Sequence, residues 1–327
     1  MKKIGIWLLT LWLFMGMAAC GKKDDTNSGT GTGDAAADGT KLGLGCVAQR
    51  MMEGDDKTRV KVTAAALVLD RDGKIRECQL DETEFTVTVA DGKPQDATAL
   101  TSKREQGDRY VLTDRDTGGT ASLKTSWKQQ VHAFETYVQG KTAGEVSGIA
   151  ATDGKNPEIT GCDLVITDFI EAVRKAADSA RDASVGTADT LRLSLTTTKN
   201  GESTDEAPQY DTELAAVTLK DGKITGCMTD TLQGKMTVEN GKFTTVSGAL
   251  ETKRDMGDAY GMKAASSLKK EWYEQADAFD RYCVGKTAAA LEGTKPDASG
   301  KLDGVAGCTM SVSGPWKNVV KAAKEGA

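Results

Sequence analysis

Apolar positions along this chain change period in the same order in two separate stretches. In "AALVLDRDGKIREC" (residues 65–78) and "AAVTLKDGKITGC" (residues 215–227), apolar residues flank the pairs Asp72-Gly73 and Asp221-Gly222. That arrangement predicts a β-hairpin in each stretch. A further turn pair follows at Asp91-Gly92 and Asn240-Gly241. Beyond these the period becomes helical. Trp127, Val131, Phe134 and Val138 share one helix face, as do Trp272, Ala276, Phe279 and Cys283, and Gly140 and Gly285 stand where a left-handed residue ends a helix. Thr142 with Glu145 predicts a capping box for a second short helix. The Ala/Val-rich segments "TDFIEAVRKAADSA" and "GPWKNVVKAAKEGA" predict a closing helix in each stretch.

The agreement extends to residue identity. Trp127, Phe134, Tyr137, Gly140, Lys141 and Thr142 recur as Trp272, Phe279, Tyr282, Gly285, Lys286 and Thr287, and "SKREQGDRY" recurs as "TKRDMGDAY". Blocks kept in one order mark a tandem duplication. The expected fold class is α+β: two copies, residues 44–183 and 184–327, each an antiparallel sheet packed with helices.

The first twenty residues, "MKKIGIWLLTLWLFMGMAAC", join two lysines, a short apolar run and small residues ending in Cys20. The run is too short to span a membrane and has the layout of an export signal. "MAAC" resembles the lipobox of bacterial lipoproteins. The resemblance implies that residues 1–20 are a signal peptide, that Cys20 is acylated, and that the lipid bilayer holds the chain at the extracytoplasmic face of the cell membrane. Residues 21–43, rich in Gly, Ser, Thr and Asp, are expected to form a flexible tether. The net charge is −6, and no basic cluster follows the tether, which argues against nucleic acid as a partner.

Several motifs are explained by local structure. "GKT" at 140–142 and 285–287 lacks the upstream glycine of a phosphate-binding loop, since Glu135 and Asp280 occupy that place. "DRDGKI" and "DRDTGGT" lack the glutamate that completes a calcium loop. His132, whose counterpart is Asp277, offers no catalytic or metal constellation, and no catalytic residue or metal ligand is assigned. The repeated Lys103, Arg104 and Asp108, with Lys253, Arg254 and Asp258, read as solvated turns rather than as a site. Cys78 and Cys162 correspond to Cys227 and Cys308. A disulfide within each copy, Cys78–Cys162 and Cys227–Cys308, keeps the repeat symmetry and closes a loop of about eighty residues, worth a few kcal/mol. Buried free thiols are the alternative.

Each copy ends with a turn, small residues with glycine, a β-prone piece and a helix. This order resembles the FMN-binding domain of flavin-carrying redox-pump subunits and Gram-positive surface lipoproteins. "KEWYEQADAF" with "GKT" is similar to the tandem lipoprotein branch associated with extracellular electron transfer. In that family a flavin transferase links FMN through its phosphate to a threonine or serine. The family motif aligns with "DGVAGCTMS", where Asp303, Gly307, Thr309 and Ser311 match, while Ala306 and Cys308 depart from it. The resemblance implies FMN linked to Thr309, a flavin transferase and a membrane electron donor as partners, and electron shuttling with no enzymatic turnover. In the first copy Asp163 stands at the acceptor position, and a carboxylate cannot take the phosphoester. The competing expectation is a surface lipoprotein whose duplicated domains have lost flavin and serve as a binding or structural module.

Overall fold

The computed structural model describes residues 39–324 apart from Ser184 and Ala188, so the expected signal peptide, Cys20 and most of the tether lie outside the described residues. The first strand begins at Lys41, inside the stretch expected to be tether. Three strands of the first copy, β1 (Lys41–Met52), β2 (Lys57–Leu69) and β3 (Ile75–Ala90), pair antiparallel in sequence order. The second copy repeats them as β4 (Thr190–Lys199), β5 (Gln209–Lys220) and β6 (Lys223–Lys235). Even the irregularities recur: the β2/β3 ladder slips between Val68 and Leu69, and the β5/β6 ladder between Thr218 and Leu219.

The helices of the first copy are α1 (Lys103–Gln106), α2 (Trp127–Val138), α3 (Ala143–Ser147) and α4 (Thr167–Asp178). Those of the second are α5 (Lys253–Met256), α6 (Trp272–Cys283), α7 (Ala288–Glu292) and α8 (Ser313–Lys324). Single turns at Asp114–Thr117 and Met262–Ala265 complete them. Asp91 and Gly92, like Asn240 and Gly241, take positive φ, as a tight hairpin with right-handed strand twist requires. Thr142 and Glu145 form the capping box, with Glu145 Oε2 2.7 Å from the Thr142 N–H. In "GKT" the glycine ties the helix end to the sheet: Gly140 N–H donates to Ile75 O, and Ile75 N–H donates to Lys141 O.

The fold is mixed α and β, with curled antiparallel sheets and helices outside them. The two sheets face each other across one core. Val60, Val62, Ala64, Ala66 and Val68 point inward against Leu191, Leu193, Leu195, Leu214 and Ala216, and the Phe85 and Tyr210 rings meet at 5.4 Å. Ala65, Leu67 and Leu69 point outward beneath Trp127, Phe134 and Phe169, whose counterparts form a third cluster in the second copy. From Val62 to Leu69 both faces of β2 are therefore buried, and that half is an almost continuous apolar run, whereas Lys57–Lys61 alternates half-buried charged residues with buried ones. Each Leu or Phe of the central cluster is worth about 2 kcal/mol of burial, which neither copy obtains by itself. The repeat boundary near residue 183 divides the sequence but not the core, and the described residues lie in one compact unit.

At the two places where the copies meet, equivalent residues make equivalent contacts. Lys175 on α4 pairs with Asp255 on α5 at 2.5 Å, and Lys321 on α8 pairs with Glu105 on α1 at 2.6 Å. Such reciprocity is that of a two-fold dimer interface, here within one chain. Strand Gly248–Leu250 of the second copy pairs with β1, and Arg181–Asp182 returns to the same strand.

Candidate functional site

The turns before α4 and α8 share one backbone design. Gly154 and Gly300 both have φ of +79°, and Gly161 and Gly307 have φ of +87° and +86°. Ile166 N–H donates to Gly154 O, and Val312 N–H donates to Gly300 O, each at 2.7 Å. The peg that holds each turn is a fully buried glutamine. Asp163 N–H donates to Gln130 Oε1 at 2.8 Å, and Thr309 N–H donates to Gln275 Oε1 at 2.9 Å. The glutamine amides in turn donate to Thr125 O and Lys270 O. Sequence reasoning missed this pair, although its signal is present: "WKQQV" and "WYEQA" repeat a glutamine on a helix face that is otherwise apolar.

Residues 163 and 309 thus share one backbone frame and carry different chemistry. Thr309 is exposed, its hydroxyl 3.4 Å from Gln275 Oε1. A Cβ on Gly307 would lie 3.2 Å from Lys270 Nζ, so a cation stands beside the turn. Ser311 is also exposed, but its oxygen lies over Gly300, 2.0 Å from where a Cβ would be, and Asp303 is exposed in the preceding turn. In the first copy, Asp163 is engaged by Lys155 at 2.9 Å and by the Ser122 hydroxyl at 2.9 Å. Partial burial pulls its pKa upward, but these partners outweigh it and hold the carboxyl below its ordinary value.

The repeated charges are not solvated turns. Lys103 is 4% exposed and sits between Glu82, at 2.9 Å, and Asp116, with its ammonium over the Tyr110 and Trp127 rings. Burial would lower its pKa, yet the two carboxylates outweigh it and the ammonium is held above its usual range. Arg104 donates to Leu80 O at 2.9 Å and pairs with Glu135, which also accepts the Leu80 N–H at 2.7 Å. Lys103, Glu82 and Asp116 are almost wholly buried, so these charges persist only because they are paired, while Arg104 stays half-buried. Asp108 and Asp258 are exposed, as expected.

The second copy redistributes the charges. The cross-strand pair Thr63/Glu82 becomes Glu213/Thr231, and Ser266 stands where Asp116 does. Lys253 keeps the rings, Tyr260 and Trp272, at 5.2 and 5.3 Å. Arg254 reaches Asp277 at 2.7 Å and Asp280 at 2.9 Å, and Arg181 from the segment between copies joins the same two carboxylates.

The cysteines correct an expectation. All six of the described cysteines are free thiols, so neither Cys78–Cys162 nor Cys227–Cys308 is bridged in this structure. Cys78 is buried in the cluster beneath α2, near the Glu135 carboxylate, and Cys162 packs half-buried against the same cluster in the turn pegged at Gln130. In the second copy the Cys227 thiol contacts Cys283 instead. His132 is exposed, 3.5 Å from Glu135, and the described residues contain no group of three or more side chains placed to hold a metal.

No helix among the described residues is long and apolar enough to cross a membrane. Comparison with known proteins finds no matching family model and no matching solved structure. Among curated proteins, a chlorophenol reductase from Desulfitobacterium hafniense is 50% identical over 42 residues, 13% of this chain and 13% of that protein. The match therefore spans about an eighth of that relative.

Proposed function

We propose that this chain is a lipid-anchored extracytoplasmic electron carrier, exported and acylated at Cys20, with FMN attached through its phosphate to Thr309. The observation that carries this reading is the exposed Thr309 hydroxyl on a turn whose counterpart in the first copy is an ion-paired aspartate. The residues fit a phosphodiester. The hydroxyl is open to a modifying enzyme, the Gly307 backbone admits close approach, and the Lys270 ammonium lies where it can face a phosphate. Gln275 fixes the acceptor backbone, so the attached group leaves from a defined point. When bound, the flavin supplies the redox chemistry, while the protein supplies attachment and position. The resemblance to FMN-binding lipoproteins supports the same reading. So, in a small way, does the short match to a protein named as a reductase. The tandem FMN-binding-domain fold, the flavin transferase and the membrane electron donor belong to the same proposal.

Co-expression with a flavin transferase, followed by intact-mass measurement and in-gel fluorescence, tests it. The native chain is expected to carry the mass of an FMN phosphodiester, lost in Thr309→Ala. A mass equal to the lipidated chain alone would instead favour a flavin-free binding module.

A further inference from the structure

One thiol pair falls outside the repeat. Cys227 on β6 is the counterpart of Cys78, but Cys283, the last residue of α6, stands where the first copy has Val138. Both cysteines are buried in the outer cluster of the second copy, where the Cys227 thiol meets Cys283. The backbone sets this approach. Ile224 N–H donates to Lys286 O at 2.9 Å and Gly285 N–H donates to Ile224 O at 2.7 Å, which ties the end of α6 to the start of β6. Further along the strand, Thr229 N–H donates to Asp280 Oδ2 at 3.2 Å. Cys227 lies between these two anchor points, and its Sγ is 3.8 Å from Asp280 Oδ1. Cys283 follows Asp280 by three residues on the same helix face, so one strand thiol reaches both.

Packing does not call for the second thiol. Val138 fills the equivalent place in the first copy and is as fully buried as Cys283. A single buried cysteine behaves as a small hydrophobe, whereas two in contact are a dithiol. Contact with Cys283, burial and the Asp280 carboxylate together push the Cys227 thiol well above its ordinary range. A dithiol whose reduced form gains nothing from thiolate formation favours the disulfide, the reverse of a strongly oxidising pair. The same burial slows exchange in the closed fold, so reaction awaits opening of the last turn of α6, a helix end and therefore among the less costly places to open.

We propose that Cys227 and Cys283 form a disulfide that fastens the C-terminal end of α6 to β6. The oxidant is a disulfide of low molecular weight. One protein thiolate attacks a sulfur of that disulfide and expels the first thiol, and the second protein thiolate then attacks the mixed disulfide and expels the other. Two electrons pass to the oxidant, and the two protein protons end on the released thiols. The bond closes a loop of about 55 residues and so restricts the unfolded chain. It also fixes the helix that carries Gln275, the peg of the Thr309 turn. Formation in the cell rests on the proposed export, because cytosolic thiols are kept reduced. The chemistry of the pair itself rests on neither export nor flavin.

The test uses the purified full chain, equilibrated with reduced and oxidised glutathione in urea just below the unfolding midpoint, where burial does not block exchange. After acid quenching and alkylation in denaturant, peptide mapping without reduction is expected to link Cys227 to Cys283, with the chain lighter by two hydrogens. The oxidised chain should unfold about 5 °C or more above the reduced one. Cys283→Val, which writes the first copy's residue into the second, should abolish both the link and the rise. The map of the native chain is decisive by itself, whatever the stability of the variant. Flavin enters neither readout, so a chain that forms the bond but carries no FMN overturns the flavin reading alone. No linked peptide at any glutathione ratio, a link from Cys227 to Cys308 in its place, or an equal rise in Cys283→Val overturns the proposal.

Discussion

Replacing Glu213 by glutamine probes how the second copy redistributed its buried charge. The carboxyl accepts the Thr231 hydroxyl at 2.7 Å and is covered by Gly314, where a Cβ would lie only 2.2 Å from Oε1. Burial pushes its pKa up to about 7, against the Thr231 hydrogen bond and the Lys253 charge, which pull it down, while Asp211 and Asp230 add to the rise. The native state therefore holds this proton more tightly than the unfolded chain does. Stability is greatest below pH 4.5, falls as the pH rises, and has lost its full increment above pH 7. A displacement from 4.5 to about 7 corresponds to about 3 kcal/mol, and the partial exposure of the side chain reduces this to about 2 kcal/mol. Glutamine keeps an acceptor for Thr231 and cannot ionise. Urea unfolding from pH 5 to 8.5 should show the native chain losing stability and Glu213→Gln losing less, with the variant about 2 kcal/mol the more stable at pH 8. Asp230, also pushed up by burial, to about 6, leaves a residual slope in both. Parallel pH profiles for the two proteins would refute the reasoning.

Two further outcomes follow from the same physical picture. Lys103→Met leaves Glu82 and Asp116 buried without their cation and is expected to cost about 3–5 kcal/mol, whereas Lys253→Met, which loses ring contacts and a longer-range attraction to Glu213 but no ion pair among the described residues, should cost less, about 1 kcal/mol. Thermal unfolding of the pair measures the difference. Gly45→Ala forces a methyl against the α4 backbone at Ala172 and Ala176 and should destabilise by about 3 kcal/mol or more, while the same change at Gly222, where no atom lies within 4 Å, should cost only the strain of its positive φ.

Local elements were legible in the chain because their causes are local. The Asp-Gly and Asn-Gly pairs need only their own dihedrals, the Thr142 and Glu145 box needs only its first turn, and the Trp127 to Val138 stripe declares its buried face by spacing alone. The duplication was legible for the same reason, since identity at equivalent positions requires no coordinates. It also put Thr309 and Asp163 on one frame, which the shared glutamine peg bears out.

What the chain alone left unresolved is long-range. Lys103 and Arg104 read as surface charges because nothing near them in sequence announces Glu82, Asp116 or Glu135 as partners. The cysteine pairs obeyed the repeat symmetry, yet all four thiols are free, since a bridge depends on three-dimensional placement rather than on correspondence. The shared core is a property of how the copies face each other. Sequence by itself determined the repeating unit and its turns. Only the tertiary structure decided which charges are buried and how the two sheets share a core, because the partners stand apart in sequence, 13 to 31 residues for Lys103 and Arg104 and more than a hundred within and between the copies.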